Sequence, residues 1–247
     1  MRETSFFSVF LGNTLMKPTL STQTTRVQQM SNTKLSVKGI MFDLDGTILD
    51  TRPAYIEAAR IACQATGQEP LADDLALEIP KRMEQRQALT GLVKADPKVF
   101  LEAYRQAFYG VSTAKTIPMP GAAETLKVLA CKAKLAVITM RFMPAKAICL
   151  ELKQFRLDGY FEHVVTALDT SEPKPSPEAL IKAVVAMDLK MCDCIIVGDS
   201  TVDVKAGKAA GSKTVAVLSG LYSREELAAA NPDFIIGNIS ELPAIIA

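Results

Sequence analysis

From Gly121 to the end of the chain, helical periodicity and short apolar runs take turns. Residues 122–133, 144–155, 177–187 and 202–210 carry apolar side chains at helical spacing, and each stretch is followed by a brief apolar run, at 135–138, 163–166, 194–197 and 214–217. A further run, 234–236, comes late. Apolar runs this short, without polar alternation, suit strands covered on both faces. A chain that alternates such strands with helices is expected to build a mostly parallel sheet with helices on both sides. The fold class that follows is α/β, doubly wound and Rossmann-like.

One more strand lies upstream. Ile40-Met41-Phe42, preceded by Gly39, ends abruptly in Asp43 and Asp45, with Gly46 and Thr47 directly behind. Side chains two apart on a strand point the same way, so both carboxylates can face one spot at the strand's carboxyl end. Asp and Gly are also turn residues, and alone the stretch reads as a solvated turn too. An EF-hand loop is excluded, because the glycine falls at the fourth position from Asp43 and not at the sixth.

Between this strand and the alternating run, only helical signals occur. Ala54, Ala58, Ile61, Ala62 and Ala65 share one face, residues 73–79 and 80–93 read as two further helices, and Phe100, Ala103, Tyr104, Ala107 and Phe108 mark another stripe. The expected organisation is therefore a core of residues 37–52 and 116–247, with a helical cap inserted at 53–115. Residues 1–36 are rich in Ser, Thr and Gln, with Arg2, Lys17, Arg26 and Lys34 against the single acid Glu3. That composition suits a disordered tail, a start codon assigned upstream of Met30, or an organelle-targeting leader.

Charge excludes some functions. Lys and Arg total 28 against 27 acidic residues, with no basic block, so no nucleic-acid footprint is expected. No apolar run approaches the roughly 18 residues of a membrane helix. The five cysteines are odd in number and scattered. Three lie in apolar patterns and are expected as buried thiols of a cytoplasmic protein. Cys192-x-Cys194 lacks a second pair to complete a zinc site, and the only histidine, His163, opens an apolar run and reads as structural.

The remaining strands also end in polar groups. Val137-Ile138 ends in Thr139, the run at 163–166 leads to Lys174 within Glu-Pro-Lys-Pro-Ser-Pro, and Ile195-Ile196-Val197 ends in Gly198-Asp199-Ser200-Thr201-Val202-Asp203. In an open parallel sheet all these carboxyl ends border one crevice. Asp43, Asp45, Thr139, Lys174, Asp199 and Asp203 gathered there would supply a nucleophile, a hydroxyl, an ammonium and acids for a hard cation: the parts of a phosphate site with a metal.

In order and spacing, Asp-x-Asp-Gly-Thr, the strand-ending Thr, Lys-Pro-x-Pro and Gly-Asp-Ser-x-x-Asp resemble the haloacid dehalogenase superfamily. The likeness covers about residues 37–247 and lies with the helical-cap branch that includes phosphoglycolate phosphatase and β-phosphoglucomutase. It implies a Mg²⁺-dependent phosphatase acting on a small phosphorylated metabolite. Asp43 would be the nucleophile and Asp45 the acid and base; Thr139 and the Met140 backbone would bind the phosphoryl group beside Lys174. Asp43, the Asp45 carbonyl and Asp199 would hold Mg²⁺, with Asp203 in support. Many relatives carry a small or amide residue and then Lys after the threonine; here Met140 and Arg141 follow.

Capped relatives also dip a cap segment into the site, which points to Lys81 and Arg82, with Arg141 a further candidate, as contacts to an anionic leaving group. A phosphosugar mutase would use the same nucleophile, and a non-catalytic binding or regulatory protein could share the fold. The chain is expected as a monomer or homodimer, with neither nucleic acid nor membrane as partner.

Overall fold

The structure, a computed structural model, describes residues 34–247. The first strand, β1 (Gly39–Phe42), is wholly buried. The chain continues through β2 (Leu49–Asp50), α1 (Arg52–Ala65), α2 (Asp73–Glu84), α3 (Pro97–Lys115) and β3 (Ile117–Pro118). Then follow α4 (Ala122–Ala130), β4 (Lys134–Ile138), α5 (Ala145–Gln154), β5 (His163–Val165), α6 (Glu178–Ala186), β6 (Cys194–Gly198), α7 (Thr201–Ala210), β7 (Lys213–Val217), α8 (Arg224–Ala229), β8 (Phe234–Ile236) and α9 (Leu242–Ile245).

Six strands form one sheet in the order β5-β4-β1-β6-β7-β8, and every pairing in it is parallel. β1 lies at its centre, with Ile40 opposite Leu135 on one side and Ile195 on the other. Its side chains alternate between the two faces. Ile40 and Phe42 pack with Leu126, Leu129 and Ile148 from α4 and α5, while Met41 packs with Leu180, Ala183 and Ala206 from α6 and α7. Both faces being covered is why these strands read as continuous apolar runs. After β5 the chain crosses β1 to continue at β6, so the strand order reverses beside β1, where an open sheet leaves a crevice at the carboxyl ends.

The three helices between β2 and β3 pack around their own apolar cluster. Ala54, Ala58 and Ala62 of α1 give α3 a close approach, and Phe100, Tyr104 and Phe108 fill the space. Tyr55 stacks on Phe108 with ring centroids 5.2 Å apart. The chain leaves for these helices and returns from them along an antiparallel ribbon, Leu49 opposite Pro118 and Asp50 opposite Ile117.

Four details differ from the sequence expectation. Pro80 does not separate two helices: α2 runs through it to Glu84. Beyond that point, buried Leu89 and Val93 satisfy the helical spacing seen at 80–93 through a turn at Gly91, whose φ is +81°. Leu35, assigned to the leader, belongs to the core. It is buried, its N–H donates to the Ile245 carbonyl at 2.7 Å, and its own carbonyl accepts from Ala247 at 2.9 Å. Residues 1–33 of the leader lie outside the described residues. All five cysteines are free, but only Cys63 and Cys194 are buried; Cys149 falls on the outward side of α5. Finally, α8 was not foreseen from periodicity, being only six residues long. Among the described residues no helix is long and apolar enough to cross a membrane.

Candidate active site

Asp43 extends β1 by one residue, its N–H donating to the Val197 carbonyl at 2.8 Å. The chain then turns sharply. Gly46 sits at φ +79°, and the Gly46 N–H donates to the Leu49 carbonyl at 2.7 Å. Glycine is required here for space as well as for backbone conformation, since a Cβ on Gly46 would come within 2.5 Å of Asp199 Oδ2. Gly220, after β7, is tighter still: a Cβ there would lie 1.6 Å from the same oxygen. Asp199 directly follows β6 and accepts from the Thr47 hydroxyl at 3.2 Å.

Lys174 reaches the centre of this acidic group. Its ammonium is buried and donates to Asp43 Oδ1 at 2.5 Å, Asp203 Oδ1 at 2.6 Å and the Ile138 carbonyl at 3.4 Å. Its three N–H groups are thus all used. Asp203 is fixed from behind, because it closes the capping box of α7, its Oδ2 accepting from the Ser200 N–H and hydroxyl.

Burial raises the Asp43 carboxyl well above the usual range; Lys174 pulls it down, and Asp203 and Asp45 push it further up. Asp199 is raised by burial first and then by Asp43 and Asp203. Burial works to lower the Lys174 ammonium, but Asp203 and Asp43 outweigh it and hold the group above the ordinary lysine range. Oxygens of Asp43, Asp199 and Asp203 lie within 4.8 Å of one another. One ammonium against three crowded carboxylates leaves a net negative pocket of oxygen donors, which fits a hard divalent cation.

Asp45 faces a different set. Its Oδ2 accepts from Arg141 Nε at 2.9 Å, and its Oδ1 accepts from Arg141 Nη2 at 2.6 Å and from the Thr51 hydroxyl at 2.5 Å. Arg141 Nη1 donates to Glu151 Oε2 at 2.5 Å, and the guanidinium carbon lies 5.5 Å from the centre of the Phe108 ring. Above the strand ends a cavity of about 710 Å³ opens between the sheet loops and the helical layer. Asp43, Asp45 and Asp199 line it from below, and Leu101, Tyr104 and Phe108 of α3 line it from the other side.

Most residues singled out from the sequence meet here. Asp43, Lys174, Asp199 and Asp203 form the acidic group, and Thr139 is buried beside it, its hydroxyl accepting from the Arg141 N–H at 3.2 Å. Met140 lines the cavity. Lys81 lines it too, but its ammonium is paired with Glu226 at 2.7 Å and stands over the Tyr222 ring. Arg82 lies away from this group. It is not among the residues lining the cavity, and it turns to Glu78 at 3.8 Å and the Ala88 carbonyl at 3.3 Å. With α2 continuous through Pro80, Arg82 shares a helical face with Glu78, four residues earlier.

Sequence reasoning missed Thr51, Glu84 and Glu151. Burial first, then the charge of Asp203, pushes the Glu84 carboxyl up to about 7; it lines the cavity and accepts from the Tyr222 hydroxyl at 2.7 Å. Glu151 had a signal, since it sits among Ile148 and Leu152 on the apolar side of α5, and a carboxylate there needs a buried partner.

The sequence profile described as haloacid dehalogenase-like hydrolase matches residues 40–217. The chain belongs to that family. This hydrolase is 30% identical over 218 residues to a pyrophosphatase, PpaX, of Anoxybacillus flavithermus, covering 86% of this chain and 98% of that one. It is also 30% identical over 222 residues to a phosphoglycolate phosphatase of Nitrosospira multiformis, covering 86% and 96%. In fold, the hydrolase resembles a haloacid dehalogenase-like family hydrolase from Streptococcus pneumoniae with a TM-score of 0.74 at 20% identity, over 85% of this chain and 98% of that one.

Proposed function

We propose that this hydrolase is a Mg²⁺-dependent phosphatase that removes the phosphoryl group of a small phosphorylated metabolite by way of an aspartyl-phosphate. The observation that carries this reading is the setting of Asp43: the end of the central strand, 2.5 Å from the Lys174 ammonium, bordering the cavity, with Asp45 two residues on.

An Asp43 oxygen attacks phosphorus as the bond from phosphorus to the leaving oxygen breaks. Asp45 gives its proton to that leaving oxygen and takes one back from the water that hydrolyses the aspartyl-phosphate, which returns Asp43 and releases phosphate. Lys174, the Thr139 hydroxyl and the Met140 N–H offset charge on the transferring group. Asp43, the Asp45 carbonyl and Asp199 would hold Mg²⁺, which supplies charge stabilisation to the phosphoryl oxygens. Asp203 keeps Lys174 in place.

The two named relatives suggest 2-phosphoglycolate and inorganic pyrophosphate as the first substrates to try. The free state of all five thiols supports a cytoplasmic setting. Steady-state assays on a panel of phosphate esters with Mg²⁺ test the proposal. Activity is expected to vanish in excess chelator and to return with Mg²⁺, and Asp43→Asn is expected to lower kcat at least about a thousandfold while the protein stays folded. Chelator-resistant turnover, or an Asp43→Asn enzyme near wild-type rate, would overturn it. A reaction that needs a sugar bisphosphate and releases no phosphate would identify a mutase instead.

A further inference from the structure

We propose that Arg141 is a latch on Asp45 that an anionic substrate opens. In the arrangement seen here Arg141 holds the proton-transferring carboxylate. A carboxylate or phosphate on the leaving-group side of the substrate then replaces Asp45 on the guanidinium and frees it to act. The proposal rests on the reading of Asp45 as the acid and base of a phosphatase.

Both oxygens of Asp45 are engaged, Oδ2 by Arg141 Nε at 2.9 Å and Oδ1 by Arg141 Nη2 at 2.6 Å and Thr51 at 2.5 Å. A carboxylate gripped by a guanidinium fork has donors pointing at both oxygens, so in this arrangement neither oxygen is turned toward a leaving group. Asp45 must leave the fork before it can protonate anything.

Arg141 is the partner that stays. Its side chain and that of Glu151 are 3% and 2% exposed and 2.5 Å apart, so Nη1 is tied to α5 independently of Asp45. The Phe108 ring lies beside the guanidinium carbon. Asp45 is the more exposed partner, at 16%, and stands in the loop between β1 and β2. The cavity borders both groups, so a substrate anion can reach the edge of the guanidinium that Asp45 occupies.

Charge decides between exchange and addition. Arg141 already serves two carboxylates, Asp45 and Glu151. A third anion on one buried cation would be strongly repelled, whereas an anion that displaces Asp45 leaves the count unchanged. Binding energy from a remote part of the substrate is thereby spent on releasing the catalytic carboxylate, which is an effect on kcat as well as on KM.

Ethyl phosphate and 2-phosphoglycolate test this, because they share a two-carbon leaving group and differ in the carboxylate. Rates are normalised to 4-nitrophenyl phosphate, whose leaving group departs without a proton. The wild-type enzyme with Mg²⁺ is expected to prefer phosphoglycolate by roughly a hundredfold in kcat/KM, with a clear part of it in kcat. In Arg141→Met combined with Glu151→Gln, which avoids stranding a buried carboxylate, normalised kcat for ethyl phosphate is expected to rise and that for phosphoglycolate to fall. The preference then collapses to below about tenfold. Arg141→Lys keeps the charge without the fork, and is expected to show the same collapse in part.

Equal losses on both esters would overturn the latch and leave Arg141 as a positioning residue. So would a wild-type kcat for ethyl phosphate equal to that for phosphoglycolate. Turnover of 4-nitrophenyl phosphate with neither alkyl ester accepted would overturn the latch and spare the phosphatase reading. Turnover of none of the three would overturn both.

Discussion

Asp43 and Lys174 show how burial and neighbouring charge tune single residues in this site. The lysine offsets two carboxylates at 2.5 and 2.6 Å, and the third, Asp199, is left without a cationic partner among the described residues. Glu84 adds a fourth acid from the helical layer, with its carboxyl pushed up to about 7 by burial and by Asp203. Its contribution to stability has a definite sign. A carboxyl raised from 4.5 to about 7 favours the folded state fully only below the lower value, and that favour is lost as pH climbs through 7. The loss amounts to about 3 kcal/mol at most. In metal-free buffer Glu84→Gln should therefore gain melting temperature relative to wild type between pH 5 and pH 8, since glutamine keeps an acceptor for Tyr222 and carries no charge. Parallel melting curves for the two proteins across that range would show that Glu84 keeps its ordinary acidity.

Loops and strand ends set the geometry that these residues depend on. Gly220 has no unusual backbone angle to explain it; the close approach of Asp199 does. Gly220→Ala should push that carboxylate aside and raise the Mg²⁺ concentration for half-maximal activity by about tenfold or more, read by titrating the metal at saturating substrate. An unchanged requirement would mean the loop yields at no cost to the site. At this scale the strands were legible in the sequence, because burial on both faces writes them as uninterrupted apolar runs and because each one near the crevice ends in a polar group. The ribbon of Leu49–Asp50 with Ile117–Pro118 was not, since two residues are too few to show a period. Ser223 and Glu226 did write a capping box for α8, a signal independent of periodicity. α2 misled in the other direction: a proline normally ends a helix, yet buried Ile79 and the packing around it carry the helix one turn further. That turn decides where Lys81 and Arg82 point. The Arg141 contact was hidden for a different reason, as a side-chain pair 96 residues apart leaves no local pattern.

Across the whole molecule, the ends of the described chain and the helical layer are tied to the sheet by few but specific contacts. Leu35 pairs with the last residues, so the two ends of the described chain hold each other. Removing residues 1–29 should leave the melting temperature unchanged, whereas removal through Ser36 should cost about 2–4 kcal/mol, from one buried leucine and two backbone hydrogen bonds. Equal stability of the two truncations in chemical denaturation would show that the pairing is dispensable. On the opposite side, Lys81 with Glu226 and Glu84 with Tyr222 join α2 to the segment after β7, bringing the helical layer over the strand ends. Among the described residues the chemistry converges on Asp43 at the end of the central strand. The enzyme should be mixed with Mg²⁺ and 4-nitrophenyl phosphate, quenched in acid within the first turnovers, and digested for mass analysis. A phosphoryl group is expected on the peptide containing Asp43, absent from Asp43→Asn. Rapid turnover with the phosphoryl group found on another residue, or with an active Asp43→Asn enzyme, would contradict the assignment of Asp43 as the nucleophile.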